Sequence, residues 1–292
     1  MDGVLWKDSS PIGDLPAIFA RIRRRGLKVV FATNNGTRTP EQYIERLAGF
    51  GVQAETWQVV TSSLVVAELL ARRFSLPLPL TSRPPSAPNA CPACASAAGT
   101  GEQSRRVGRG SGAGGDGEGI IKVFAIGEEG VMQALREKGF ALLPVEEAEK
   151  SQAVVMGIDR QINYNKMREA ALLVRRGLPF YATNPDKTFP TPRGEIPGAG
   201  AWVSVIVTAT GVEPIYAGKP APYLLELARE RLGTAKEETL VVGDRLETDI
   251  AGGQAAGCPV ALVFSGVSTR KEGKAWKPGI DVMAEDLGEL IG

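Results

Sequence analysis

Carboxylates, lysine and hydroxyls are the groups with which this chain could do chemistry, because its 292 residues include no histidine. That absence removes Ser-His-Asp and Cys-His catalysis, a histidine general base and histidine-ligated zinc together. The densest candidate constellation is Thr239–Asp249, Thr-Leu-Val-Val-Gly-Asp-Arg-Leu-Glu-Thr-Asp. Its short β-branched apolar run reads as a buried strand, and Gly243 and Asp244 stand where the chain must turn outward. In open α/β sheets ligands gather at the carboxyl ends of strands, so Asp244 and Asp249 would flank such a crevice. Two acids there suit Mg²⁺, which takes oxygen ligands, keeps several waters and shares its shell with a substrate phosphate. A plainer alternative stays open on this stretch alone: Asp244 as a turn residue and Asp249 as the N-cap of a following helix.

Other reactive groups fall just past the ends of other expected strands. Asp2 begins Asp-Gly-Val-Leu-Trp, Thr33-Asn34-Asn35-Gly36 follows the apolar run Leu27–Ala32, and Lys219 follows Ile215–Ala217. Taken singly, Lys219 reads as a solvated lysine before a proline turn and Thr33 as a turn residue. Gathered round one crevice, they combine metal-binding carboxylates, an amine to neutralise phosphate, and hydroxyl and amide groups to hold its oxygens.

The elements that would position these groups alternate. Leu15, Ile18, Phe19 and Ile22 share one helical face that closes in Arg23-Arg24-Arg25-Gly26. Pro40 opens a helix to about Phe50, and Ser62–Arg73 carries an apolar stripe of Val65, Val66, Leu69 and Leu70. Order resumes with a strand at Ile120–Ile126, a helix to Lys138, a strand at Ala153–Ile158, a helix to Gly177 and a strand at Pro179–Thr183. Asn184–Gly200, rich in Pro and Gly, reads as a long loop and therefore as functional or mobile. Ala201–Thr210, Pro222–Leu232 and the segment from Asp249 read as helices, and Thr239–Val242 and Val260–Phe264 as strands. Gly127 and Gly130 form no dinucleotide or P-loop fingerprint and read as turn glycines, which argues against a dinucleotide-dependent oxidoreductase.

Composition sets further bounds. Lys and Arg number 34 against 33 Asp and Glu, a net charge of +1, which carries no basic footprint for nucleic acid or an anionic membrane. Ala201–Val212, the longest nearly apolar stretch, is too short to span a bilayer, and no basic-then-apolar leader opens the chain. Three cysteines make no disulfide framework and fit a reducing cytoplasm. Thr81–Gly119 is dominated by Gly, Ala, Ser and Pro, so disorder is expected there, with Cys91 and Cys94 incidental.

Taken together, the motifs resemble the four signatures of the haloacid dehalogenase (HAD) superfamily, class IIA branch. Met1-Asp2-Gly3-Val4-Leu5-Trp6 is similar to the tail of its D-x-D-G-V-[LT]-[WY] motif, Thr33-Asn34-Asn35 to the second, Gly218-Lys219-Pro220 to the third and Gly243–Asp249 to the fourth. Val60-Thr61-Ser62, Gly127–Gly130, Ala182–Asp186, Pro197–Gly200 and Phe264–Ser268 extend the match over nearly the whole chain outside the low-complexity insert. The resemblance implies an α/β fold: a Rossmann-like parallel-sheet core (1–78 and 201–292), the insert at 79–119, and an α/β cap of the C2 type (120–200). The spacing between Thr33 and Lys219 independently leaves room for such a cap.

The function implied is Mg²⁺-dependent hydrolysis of small phosphorylated metabolites through an aspartyl-phosphate. Asp2 would be the general acid/base, with Thr33, Lys219 and Asp249 completing the catalytic set. Thr33, Asn34, Asn35 and Lys219 would bind the substrate, and Asp2 and Asp244 the metal. The first aspartate of D-x-D, the family's nucleophile, falls immediately before Met1, so the chain as written is expected to lack it together with its strand and to be inert. The alternative is a catalytically silent phosphate- or Mg²⁺-binding protein of the same fold. No nucleic acid or membrane partner is expected, and a homodimer through the cap is the open alternative to a monomer.

Overall fold

The computed structural model describes residues 1–76, 120–191 and 193–292. The segment expected to be disordered, and Cys91 and Cys94 with it, lies outside the described residues.

In chain order the first part contains β1 (Trp6–Lys7), β2 (Ser10–Pro11), α1 (Leu15–Arg24), β3 (Phe31–Thr33), α2 (Pro40–Gly49), β4 (Val59–Thr61) and α3 (Ser62–Arg73). Next come β5 (Lys122–Ile126), α4 (Glu129–Glu137), β6 (Ala141–Leu142), β7 (Ala153–Met156), α5 (Tyr164–Arg175) and β8 (Phe180–Ala182). A hairpin of β9 (Thr188–Thr191) and β10 (Gly194–Pro197) precedes α6 (Ala199–Thr210) and β11 (Ile215–Tyr216). The last part holds α7 (Tyr223–Leu232), β12 (Val241–Gly243), α8 (Ala251–Ala255), β13 (Val260–Val263), α9 (Arg270–Ala275), β14 (Val282–Ala284) and α10 (Leu287–Ile291).

Local chemistry starts these helices where the sequence places it. Asp14 caps α1 by accepting from the Ala17 N–H at 3.0 Å, and Leu15, Ile18, Phe19 and Ile22 bury one face at helical spacing. Thr39 and Gln42 close a reciprocal capping box on α2, and Thr61 caps α3 through the Leu64 N–H.

Two bodies result. The cap is a parallel sheet in the order β11-β8-β7-β5-β6, with α5 and α6 on one face over Phe124, Val154, Met156, Leu173, Val203 and Ile206. Its other face, through Val123, Val155 and Tyr181, joins the apolar cluster that includes Val60 and Leu70 of the core. Thus β11 pairs with β8 at the edge of the cap sheet, and α6 packs against α5 and β8. Periodicity identified the helix at Ala201–Thr210 but carried no information about which sheet its apolar face would meet.

Beside a small antiparallel β1–β2 pair, the remaining core strands are parallel but divided. β3 pairs with β4, β12 with β13 and β13 with β14, and among the described residues no strand joins the two groups. Side-chain packing nevertheless spans them. One cluster holds Val60 and Ala32 together with Val241, Val260 and Leu262; the other holds Phe31 and Val59 together with Val242 and Val263. The strand expected over Leu27–Ala32 is confined to Phe31–Thr33, and Leu27 is exposed, because β4 is the one neighbour that supplies hydrogen bonds to it.

Candidate active site

The carboxyl ends of β3 and β12 open on one cavity of about 540 Å³ between core and cap. Asp2, Thr33, Asn34, Asn35, Lys219, Asp244 and Asp249, drawn from four separate motifs, all line it.

Its most buried feature is an ion pair. Lys219 Nζ donates to Asp249 Oδ1 at 2.6 Å, and both side chains are buried. The other carboxylate oxygen of Asp249 accepts from the Asp244 and Arg245 N–H groups at 3.2 and 3.1 Å. Asp249 therefore fixes the lysine and the loop that carries Asp244. Burial pushes the Asp249 carboxyl up, but the Lys219 charge and hydrogen bonds outweigh it and hold the group below the usual carboxylate range. Asp249 is not a helix N-cap: it lies within a single π-helical turn, Leu246–Ile250, that precedes α8.

Asp244 is buried in a cradle of backbone. A Cβ added to Gly3 would stand 2.3 Å from Asp244 Oδ2, and one added to Gly266 would stand 2.0 Å from it, so only glycine lets the chain pass this close. Oδ2 accepts from the Val267 N–H at 3.0 Å, the Ser268 N–H donates to the Asp244 carbonyl, and the Ser265 hydroxyl ties Gly3 O at 2.7 Å. Burial, followed by the neighbouring Asp249 charge, raises the Asp244 carboxyl above its ordinary value.

Asp2 is exposed on the cavity wall, its carboxylate accepting from Trp6 Nε1 at 2.7 Å. Trp6 is fully buried, and the Arg46 guanidinium lies 4.4 Å above its ring. The buried Tyr43 hydroxyl donates to Asn35 O at 3.0 Å; its pKa is raised, first by burial and then by Asp2.

Thr33 Oγ1 accepts from the Asn35 N–H at 3.1 Å, leaving the hydroxyl proton able to donate elsewhere. Both asparagines also bond within the chain. Asn35 Oδ1 accepts from the N–H and the hydroxyl of Thr37, shaping the turn. Asn34 spends its side chain on Lys219: Oδ1 accepts from the Lys219 N–H at 2.7 Å, and Nδ2 donates to Lys219 O at 2.9 Å. The Asn34 side chain and Asn35 Oδ1 are thus tied to the chain itself at the cavity wall.

The cap contributes Arg160, Asn184, Asp186, Thr188, Phe189 and Glu195 to the opposite wall. The span expected to be a loop from Asn184 to Gly200 contains the β9–β10 hairpin and the start of α6; Pro190 is accommodated inside β9 because a two-stranded ribbon leaves each strand one edge that needs no N–H donor. Gly127–Gly130 also finds its use here: the Gly130 N–H donates to Thr37 O at 3.1 Å, seating α4 on the loop after β3. Trp6, Tyr43 and Arg46 went unassigned in the sequence; only the aromatic in the first motif signalled any of them.

The donor set suits a hard divalent cation. Asp244 offers oxygen only, and its Oδ1 makes no hydrogen bond among the described residues. Among the described residues no three or more Asp, Glu, His or Cys side chains are grouped so as to hold a metal ion by themselves. One or two carboxylates with water and substrate oxygens is the manner in which Mg²⁺ is held.

A divided Rossmann-like core, an inserted α/β cap and acids, lysine and threonine on one rim define a phosphatase of the haloacid dehalogenase type. The chain belongs to that family: residues 1–141 match the haloacid dehalogenase-like hydrolases, and residues 216–290 the related HAD-hydrolase-like family. The match is of the class IIA type. Among its relatives, a 5'-nucleotidase of Bacillus subtilis is 32% identical over 93% of this chain and 87% of its own. An acid sugar phosphatase of Staphylococcus aureus is 31% identical over 100% of this chain and 94% of its own. The p-nitrophenyl phosphatase from Archaeoglobus fulgidus superposes with a TM-score of 0.77 at 28% identity, covering 99% of this chain and 95% of that one. A glycerol phosphate phosphatase from Mycobacterium tuberculosis, in complex with magnesium, gives 0.78 at 29% identity, with 99% and 74% covered. No helix among the described residues is long and apolar enough to cross a membrane.

Proposed function

We propose that the protein hydrolyses small phosphomonoesters with Mg²⁺ through an aspartyl-phosphate, at the cavity between core and cap. The observation that carries this reading is the buried Lys219–Asp249 pair beside Thr33 and the glycine-cradled Asp244, all on one rim.

Asp244 and the backbone carbonyl of Asp2 would hold the metal, with Asp249 steadying the loop. Bound there, Mg²⁺ would neutralise phosphoryl charge and orient the group for in-line displacement. Lys219 and the Thr33 hydroxyl would bind phosphoryl oxygens. The attacking carboxylate in this reading is the first aspartate of the D-x-D motif whose second aspartate matches Asp2. Its oxygen bonds to phosphorus as the bond to the leaving oxygen breaks, and Asp2 protonates the departing alcohol. Asp2 then takes a proton from water, whose oxygen attacks phosphorus, releasing phosphate and regenerating the carboxylate. Its hydrogen bond from Trp6 fixes the carboxyl for both transfers.

The cap would set the substrate range, with Phe189 offering an apolar face to the leaving group and Asp186, Thr188 and Glu195 offering polar contacts. A reducing cytoplasm suits the chain, and a homodimer through the cap is the assembly to test. Turnover of 4-nitrophenyl phosphate with Mg²⁺ tests the reading: a chain extended by a strand ending in aspartate, which completes D-x-D, should hydrolyse it. Phosphate binding without turnover in the extended chain would instead support a silent binding protein.

A further inference from the structure

Lys219 is held in place by a knot of side chains that the reaction itself does not use. Asn34 pairs with its backbone in both directions, 2.7 Å to the N–H and 2.9 Å to the carbonyl, so the orientation of the amide is fixed. The same Nδ2 reaches Asp186 of the cap at 3.3 Å to each carboxylate oxygen. Asn184 of the cap donates to Asn34 O at 2.8 Å, while its Oδ1 accepts from the Asp186 N–H at 3.1 Å. The chain entering Lys219 threads between these groups. A Cβ on Gly218 would lie 2.6 Å from both Asn34 Oδ1 and Thr183 O, and the Gly218 N–H donates to Thr183 O at 2.7 Å.

We infer that Asn34 is a positioning residue which, with Asp186 and Asn184, registers the cap against the phosphate-gripping Lys219. The inference rests on the phosphatase reading for the role of Lys219. Without Asn34 the Lys219 peptide loses two directed bonds at the point where the cap segment after β8 crosses the core. The ammonium then keeps its pair with Asp249 but loses its setting relative to Thr33. Of the two cap residues, Asp186 reaches the lysine through the Asn34 side-chain amide, while Asn184 holds the Asn34 main-chain carbonyl.

The test is a double-mutant cycle on the full chain, read as the affinity for inorganic phosphate in Mg²⁺ by calorimetry, with circular dichroism and Tm recorded for every variant. Lys219→Gln removes the charge yet can still donate to Asp249, and it should weaken phosphate binding by at least about tenfold. Asn34→Ala should weaken it about tenfold as well, from the loss of two hydrogen bonds. If Asn34 works through Lys219, the double variant binds no worse than Lys219→Gln alone, within about twofold. Losses that multiply, or an unchanged affinity in Asn34→Ala, overturn the inference while leaving the phosphatase reading in place. An unchanged affinity in Lys219→Gln instead removes the role of Lys219 on which both depend. Should Asn34→Ala fail to fold, Asp186→Ala in the cap takes its place, with a loss of about threefold expected that vanishes in the Lys219→Gln background. A threefold loss that persists there overturns the inference.

Discussion

Replacing Asp249 by Ala removes three acceptor contacts at once, and the structure allows the cost to be worked through. The Lys219 ammonium, buried and bonded to Asp249 at 2.6 Å, is left without its counter-charge. Breaking a buried pair by removing one partner costs about 3–5 kcal/mol. The Asp244 and Arg245 N–H groups also lose their acceptor. Each unsatisfied buried donor costs about 1–3 kcal/mol, but water entering the vacated space recovers part of it. A net loss of about 4 kcal/mol is expected, which for a chain of this size lowers Tm by roughly 10 °C. Asp249→Asn should be milder in the loop, since its amide oxygen still accepts from both N–H groups, yet its NH₂ cannot serve Lys219. Urea unfolding followed by circular dichroism, with Tm from calorimetry, measures both variants. A loss below about 1 kcal/mol in Asp249→Ala would refute the reasoning, because an exposed pair costs no more than that.

Three further outcomes are expected. Glu68 of α3 bonds Lys138 at 2.6 Å and Arg72 at 3.1 Å; burial pushes its carboxyl up, but these two partners outweigh it and hold it low. Its contribution should be complete above the ordinary glutamate value of about 4.3 and fade as pH falls through its lower folded-state value, so Glu68→Gln should flatten the Tm profile between roughly pH 5 and 3. Gly266→Ala would drive a Cβ to 2.0 Å from Asp244 Oδ2, and Mg²⁺ affinity measured by calorimetry should fall by tenfold or more. Phe189→Ala should raise KM for carbon-rich phosphomonoesters severalfold with kcat little changed, in steady-state assays of the N-terminally extended chain, because Phe189 is an apolar residue in the cap's lining of the cavity.

Much of this arrangement was legible before any coordinates. The helix at Ser62–Arg73 was read with the bounds the structure gives, because its apolar stripe and its threonine cap are local signals. The convergence of Asp2, Thr33, Lys219 and Asp244 followed from each standing past a strand end, a rule of topology. What escaped depended on contacts far apart in the chain. The bond from Asn34 to the Lys219 backbone, 185 positions away, has no local signal, since nothing nearby in sequence marks an amide that faces a distant peptide. The pairing of β11 with β8 and the packing of α6 on α5 have no local signal either, since their apolar patterns fit either sheet. The β9–β10 hairpin was hidden by its own Pro and Gly content, which marks turns but masks the short paired strands between them.

The central claim is that Asp2 and Asp244 act on one phosphoryl group at this rim. Its most direct test is nitrophenolate release from 4-nitrophenyl phosphate in Mg²⁺ by the chain extended with its N-terminal strand, compared with Asp2→Asn and Asp244→Asn in the same background. Turnover in the parent that each substitution lowers by at least about a hundredfold is the predicted result. Either variant retaining the parental rate would contradict it.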